Sequence, residues 1–191
     1  DVLTKIGRTD LAYRVASRKS YPGWGYMLTE DATTLWERWE KLTGRGMNSH
    51  NHIMLGSVDA WYYKTIAGIE PIEAGWRRVR FAPRAIGELD WASAWVDTVC
   101  GRVAISWEIT RDPSTEQLSV AVEVPVGATG EVIVPAKPTT TLVEGSTVLF
   151  EGGATDEAVD GIVHVEHSDG AFHLHVESGA YYFVLSTVLK P

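Results

Sequence analysis

The sequence predicts a chain in two parts, helices first and an antiparallel β-sandwich after them, an α+β arrangement. Three observations carry this expectation. Apolar residues recur at helical spacing through the first third of the chain. From Val79 onward they alternate with polar ones. Pro, Gly, Asp and Ser clusters then punctuate the chain at short intervals, as in sandwiches of many short strands. The expected division is residues 1–76 for the helical part and 77–191 for the sandwich.

The helical elements follow in order. Leu3, Ile6, Leu11 and Val15 keep a helical period, and residues 9–19 read as a helix capped by Thr9 or Asp10. Ser20-Tyr21-Pro22-Gly23 breaks it, because proline cannot continue a helix. Residues 31–43 predict a second helix, with Asp31 as N-cap and Glu30 and Asp31 at the positive end of the dipole. Gly44 and Gly46 end it. Residues 53–67 predict a third, apolar nearly all round and hence well buried, stopped by Gly68 and Pro71.

Period-two patterns mark the strands. Val79 and Phe81 alternate with Arg78 and Arg80. Val103, Ile105 and Trp107 alternate, as do Leu118, Val120, Val122 and Val124. Residues 162–165, 172–176 and 181–184 add three more, for six to nine strands in all.

The chain has 191 residues and 45% apolar composition, enough for a real core. Its net charge of −8 argues against nucleic acid, whose phosphates demand clustered Lys and Arg. No stretch is apolar for the ~20 residues a membrane helix needs. The one cysteine, Cys100, allows no internal disulfide; it fits a reducing compartment without excluding export. No signal peptide is visible, and residue 1 opens directly into an amphipathic pattern, so a piece of a longer polypeptide is expected.

Three stretches concentrate unusual composition: Tyr21-Pro22-Gly23-Trp24-Gly25-Tyr26-Met27, Ala32-Thr33-Thr34-Leu35-Trp36-Glu37-Arg38-Trp39, and Gly46-Met47-Asn48-Ser49-His50-Asn51-His52. Each combines aromatics with uncharged hydrogen-bonding groups. Sugar sites need that mixture, since pyranose C–H faces stack on rings while hydroxyls want paired donors and acceptors. A glycosidase adds carboxyl groups, one to protonate the leaving oxygen and one to activate water or attack the sugar.

The order of these three stretches, followed by Gly56-Ser57-Val58-Asp59-Ala60-Trp61 and on to Pro71, resembles the last helices of the (α/α)6 barrel of bacterial α-L-rhamnosidases. The later strands, including residues 122–135 and 178–183, resemble that family's C-terminal β-sandwich. The likeness covers nearly the whole chain and is strongest over 21–69. It implies an α+β multidomain fragment of an inverting hydrolase that releases terminal α-L-rhamnose from rhamnose-containing glycosides, without cofactor or metal. It implies Glu37 as general base and His52 as a sugar contact, with Trp36, Trp39, Asn48 and Asn51 in support. His50 stands where the family commonly has an aromatic such as Phe, and the segment from Trp39 to Gly46 is short; both bear on the rim of the site. The resemblance also implies that the general acid comes from earlier helices, so that this chain alone is inactive. Its partner is then the remaining N-terminal part of the same enzyme, or a second copy through the apolar face left bare.

Plainer readings stand beside these. Glu37 could pair with Lys41 across one helical turn. His52 could be a hydrogen-bonded core histidine. His50 and His52 lack a third ligand and make a poor zinc site, and His164, His167, His173 and His175 read as surface residues. Cys100 reads as a small core residue, and Trp91, Trp95 and Trp107 as filling the sandwich core or its contact with the helices. For the whole, a non-catalytic carbohydrate-binding module, a bracing domain, or another helical-barrel glycosidase are the alternatives.

Overall fold

The computed structural model describes residues 1–46, 48–152, 154–155 and 159–189. The chain forms two compact units, Asp1–Tyr62 and Tyr63–Pro191.

The first unit holds four short helices, α1 (Val2–Lys5), α2 (Thr9–Ala16), α3 (Trp24–Thr29) and α4 (Ser57–Trp61). Gly7, at φ +77°, separates the first two. Arg8, not Thr9 or Asp10, occupies the N-cap of α2, and Asp10 instead holds the Arg8 guanidinium at 3.0 Å. The predicted helix over 31–43 does not form. Helix α3, which the sequence did not announce, ends before it at Glu30, and Asp31 takes a left-handed conformation at φ +60°. The residues after it are turns and bends because their backbone groups bond elsewhere. Glu37 N–H donates to Ser49 C=O at 2.9 Å, and His52 N–H donates to Leu35 C=O at 2.9 Å. Those are long-range partners, which a helix would have replaced with the local i−4 carbonyls.

The predicted third helix survives in pieces. A 3-10 turn (Ile53–Leu55), α4 and a π-helical turn (Tyr62–Ala67) follow one another. Val58, Trp61, Thr65, Ile66 and Ala67 are buried, but Ile53 is 90% exposed, so the element is not buried all round as expected. Val2, Ile6, Leu28 and Met54 of the first unit are also exposed.

The second unit is a sandwich of twelve strands among the described residues: β1 (Ile69–Pro71), β2 (Arg78–Phe81), β3 (Trp91–Thr98), β4 (Gly101–Arg111), β5 (Thr115–Val124), β6 (Thr129–Pro135), β7 (Thr140–Glu144), β8 (Thr147–Glu151), β9 (Ala154–Thr155), β10 (Ile162–Ser168), β11 (Ala171–Val176) and β12 (Gly179–Val188). This exceeds the six to nine anticipated, and β1 and β9 are too short to show a period. One sheet runs β1-β2-β6-β11-β10 and the other β3-β4-β5-β12-β7-β8-β9. All pairs are antiparallel except β2 with β6, which is parallel with Val79 opposite Gly130.

The period-two residues face inward as expected. Val79, Phe81, Val132, Phe172 and Leu174 from one sheet, and Val103, Ile105, Trp107, Val120, Leu142 and Phe183 from the other, are at most 2% exposed. The sheets interlock at Phe150 on β8 and Phe172 on β11, whose rings meet edge to face at 4.9 Å. Trp107 is a core residue, and its indole N–H donates to Ile66 C=O at 3.0 Å. Trp91 and Trp95 are not: they are 67% and 55% exposed, because the alternation of β3 turns Ala94 inward and both indoles out. Cys100 is half-buried in the β3–β4 turn instead of in the core, with its thiol 3.5 Å from Gly75 C=O. His164 and His175 are exposed, whereas His167 and His173 are half-buried. No helix among the described residues is long and apolar enough to cross a membrane.

Candidate functional site

The three motif stretches converge within the first unit. Tyr21-Pro22 is a cis peptide, and the chain then enters α3. The glycines of this stretch are required by close approach. A Cβ on Gly25 would lie 2.7 Å from Arg18 C=O and 2.8 Å from Ser17 C=O. The tight passage lets Tyr26 N–H bond Arg18 C=O at 3.0 Å. Trp24 then donates its indole N–H to Leu55 C=O at 2.9 Å, fixing the 3-10 turn beside α3.

The second and third stretches lie side by side, running antiparallel. Besides the two backbone bonds already given, the Thr34 hydroxyl donates to His50 C=O. Ser49 N–H donates to Glu37 Oε2 at 3.0 Å. The Glu37 side chain is thus half-buried and held by the main chain of the neighbouring segment, and its Oε1 has no partner among the described residues. Lys41 does not pair with it; the ammonium lies 3.4 Å from the Glu30 carboxylate and bonds Glu30 C=O at 2.8 Å. The absence of a helical turn here removes the geometry that a Glu37–Lys41 pair would need.

The other residues singled out by sequence fall around this pair of segments. Trp36 is buried at 3% exposure and stacks on the His50 ring, with centroids 5.1 Å apart and planes 27° apart. His50 therefore does the packing work of a flat ring. Its Nε2 and the Nδ2 of Asn48 are both buried without a hydrogen-bond partner among the described residues. Buried polar atoms left unpaired are costly, and two so close in sequence mark a place where hydrogen bonding is incomplete. Trp39 meets Trp24 edge to face at 4.9 Å. His52 is half-buried and anchored through its backbone, while Asn51 is exposed in a small turn closed by the Ser49 hydroxyl. Met47 of the third stretch lies outside the described residues. Sequence reasoning passed over Ser49 and Tyr21. Burial first and the Glu40 carboxylate second push the Tyr21 hydroxyl above its ordinary pKa. No signal in the sequence distinguished Ser49, since its contribution is a backbone N–H. No group of three or more His, Cys, Asp or Glu suited to a metal occurs among the described residues.

Comparison with known proteins bears on these stretches directly. Residues 1–66 match the bacterial alpha-L-rhamnosidase 6 hairpin glycosidase domain, and residues 68–148 match the bacterial alpha-L-rhamnosidase C-terminal domain. Among curated proteins, an alpha-L-rhamnosidase of Streptomyces avermitilis is 39% identical over 141 residues, and one of an Alteromonas species 35% over 142. Each alignment takes in 71% of this chain but only 13% and 15%, respectively, of the relative. Among solved structures, the alpha-L-rhamnosidase from Dictyoglumus thermophilum superposes with a TM-score of 0.82 at 41% identity, over 98% of this chain and 20% of its own. The Streptomyces avermitilis alpha-L-rhamnosidase complexed with L-rhamnose gives 0.77 at 32% identity, over 96% and 16%.

Proposed function

We propose, because the chain belongs to the bacterial α-L-rhamnosidase family, that it forms part of an inverting glycoside hydrolase that removes terminal α-L-rhamnose. Glu37 is the general base of that reaction. It takes a proton from the water that attacks the anomeric carbon, as the leaving oxygen receives one from an acid across the sugar. The observation that supports this most is the Ser49 N–H bond to Glu37 Oε2. It fixes the carboxylate in one rotamer and leaves Oε1 for a water molecule. A general base must be so positioned, since misplacement alone costs rate.

His52, Asn48 and Asn51 supply donors and acceptors to the sugar hydroxyls. The unpaired Asn48 Nδ2 is the atom best suited to gain a partner when the sugar arrives. Trp36 and Trp39 shape the site from beneath, through the His50 stack and the Trp24 contact. Inversion needs two carboxyl groups roughly 6.5–9.5 Å apart. The acid comes from the larger part of the enzyme outside these 191 residues, and the exposed Val2, Ile6, Leu28 and Met54 are positions that part covers. The chain by itself then shows no appreciable rhamnosidase turnover.

The test is Glu37→Gln in the complete enzyme, with kcat measured on an aryl α-L-rhamnoside. Gln keeps an oxygen for the Ser49 N–H but cannot take a proton. A fall of about 10²–10⁴ is expected of a general base. A fall of less than about tenfold removes Glu37 from that role.

A further inference from the structure

The outer face of the seven-stranded sheet carries a groove that lies wholly within the sandwich unit. Two hollows, of about 410 and 430 Å³, share Ser93, Ser106, Ala121 and Tyr182 and so form one continuous channel across β3, β4, β5 and β12. The register explains its shape. Ser93 faces Ser106, which faces Ala121, which faces Tyr182. Small side chains on three adjacent strands thus make a low floor. Exposed Trp91 stands at one side, and Tyr182, 51% exposed and three strands away, stands at the other. At ~4.8 Å per strand the two rings are separated by roughly 14 Å across the sheet.

We propose that this groove binds a neutral glycan. The rings supply flat apolar faces for pyranose C–H surfaces, and the floor supplies hydroxyls for the sugar rim. The flanking rows decide between occupants. On one side of the floor Trp91 faces Glu108, which faces Ser119, and on the other side Glu123 sits opposite Ala104. Both glutamates are exposed, and neither makes an ion pair among the described residues. A protein seated here would have to strip water from the carboxylates of Glu108, Glu123 and Glu144 around the floor, and interfaces disfavour buried charge. Sugar hydroxyls instead donate to carboxylates. The same carboxylates repel anionic polysaccharides. The nearby Arg102 guanidinium bonds Asp97 at 3.0 Å and lies 5.7 Å from the Trp95 ring, with Glu123 a weaker electrostatic neighbour.

Affinity electrophoresis of the 191-residue chain tests this, through gels carrying a neutral rhamnan, a neutral β-glucan or anionic polygalacturonate. Retardation by at least one neutral polysaccharide, and none by polygalacturonate, is expected. Trp91→Ala and Tyr182→Ala should each weaken binding at least tenfold, with Trp91→Phe restoring most of it. Val163→Ala, exposed on the other sheet, should bind as the parent does. Melting midpoints monitor folding, and the Phe variant keeps the test valid if an Ala variant unfolds. No retardation by either neutral polymer, equal retardation by polygalacturonate, or full binding by folded Trp91→Ala overturns the proposal. So does loss of association between this chain and the rest of the enzyme in Trp91→Ala, which would make the face an interdomain contact. Glu37 plays no part in the readout, so failure here leaves the catalytic reading standing, and the reverse.

Discussion

Gly68 and Gly127 have nearly the same positive φ, +89° and +85°, in entirely different surroundings. Replacing each with alanine separates the cost of conformation from the cost of contact. At Gly127, in the turn between β5 and β6, an added Cβ meets nothing within 4 Å. Only the left-handed penalty applies, about 1–2 kcal/mol for an L-residue. At Gly68 the Cβ would lie 2.5 Å from both Ala82 O and Pro83 N. Those are backbone atoms and cannot rotate away. The approach is already used, because Ala82 N–H donates to Gly68 C=O at 2.8 Å, next to the pairing of Ile69 with Phe81. Gly68→Ala must push the two segments apart. It adds to the conformational penalty about 0.5–1.5 kcal/mol for the strained hydrogen bond and about 1–3 kcal/mol for overpacking. The expected loss is about 2.5–6.5 kcal/mol, against about 1–2 for Gly127→Ala. Urea unfolding followed by circular dichroism, with midpoints compared at equal slope, measures both. Two variants within about 0.5 kcal/mol of each other would show that Gly68 is chosen for its φ alone.

Three further outcomes follow from the site and the sandwich. His52→Ala in the complete enzyme should weaken free L-rhamnose by about 1–3 kcal/mol, the cost of a sugar hydroxyl left unpaired in a water-poor site; unchanged affinity and turnover in titration and kinetics would make His52 a bystander. Asp112 accepts hydrogen bonds from the Thr115 hydroxyl first, then from the Ser114 amide and hydroxyl and the Thr115 amide at 2.9 Å, which together hold its carboxyl down to about 2. A folded value below the unfolded one means the stabilisation is complete above the ordinary 3.8 and is lost as pH falls through about 2. The stability difference between the parent and Asp112→Asn should therefore shrink from pH 5 to pH 2, and a difference constant over that range would refute the assignment. Phe172→Ala, which empties the contact between the two sheets at Phe150, should cost about 3–5 kcal/mol; thermal unfolding shifted by only a degree or two would mean that the sheets close over the gap.

Much of the sandwich was readable in the chain because strand burial is written locally. Val103, Ile105 and Trp107 alternate in sequence and are buried in space, and the same holds for Val120, Val122 and Val124. Strands β1 and β9 escaped because three and two residues cannot display a period, and β3, β7 and β8 were not singled out either. Trp91 and Trp95 read as filling the sandwich core or its contact with the helices, but they are 67% and 55% exposed, and their alternation with Ala92 and Ala94 puts them on the outer face. The motif residues were nameable from order and composition, and the structure sets Glu37, Asn48, Asn51 and His52 on two adjoining segments; their roles in turnover rest on the experiments above.

The sequence by itself determined the two-part character, the inward face of most strands and the residues worth testing, because periodicity, turn chemistry and motif order are properties of neighbours in the chain. It could not determine the conformation of residues 31–43. Leu35, Trp36, Trp39 and Leu42 fit one helical face, and Asp31 is a good cap, so local preference pointed to a helix. What prevented it was the segment from Ser49 to His52, whose carbonyls and amides take the Glu37 N–H and Leu35 C=O bonds that a helix would have satisfied internally, with the Thr34 hydroxyl adding a bond to His50 C=O. Helix propensity is worth only fractions of a kcal/mol per residue, so long-range hydrogen bonds and the burial of Trp36 override it. Only the tertiary structure could decide between them, since the competing partner lies more than ten residues away.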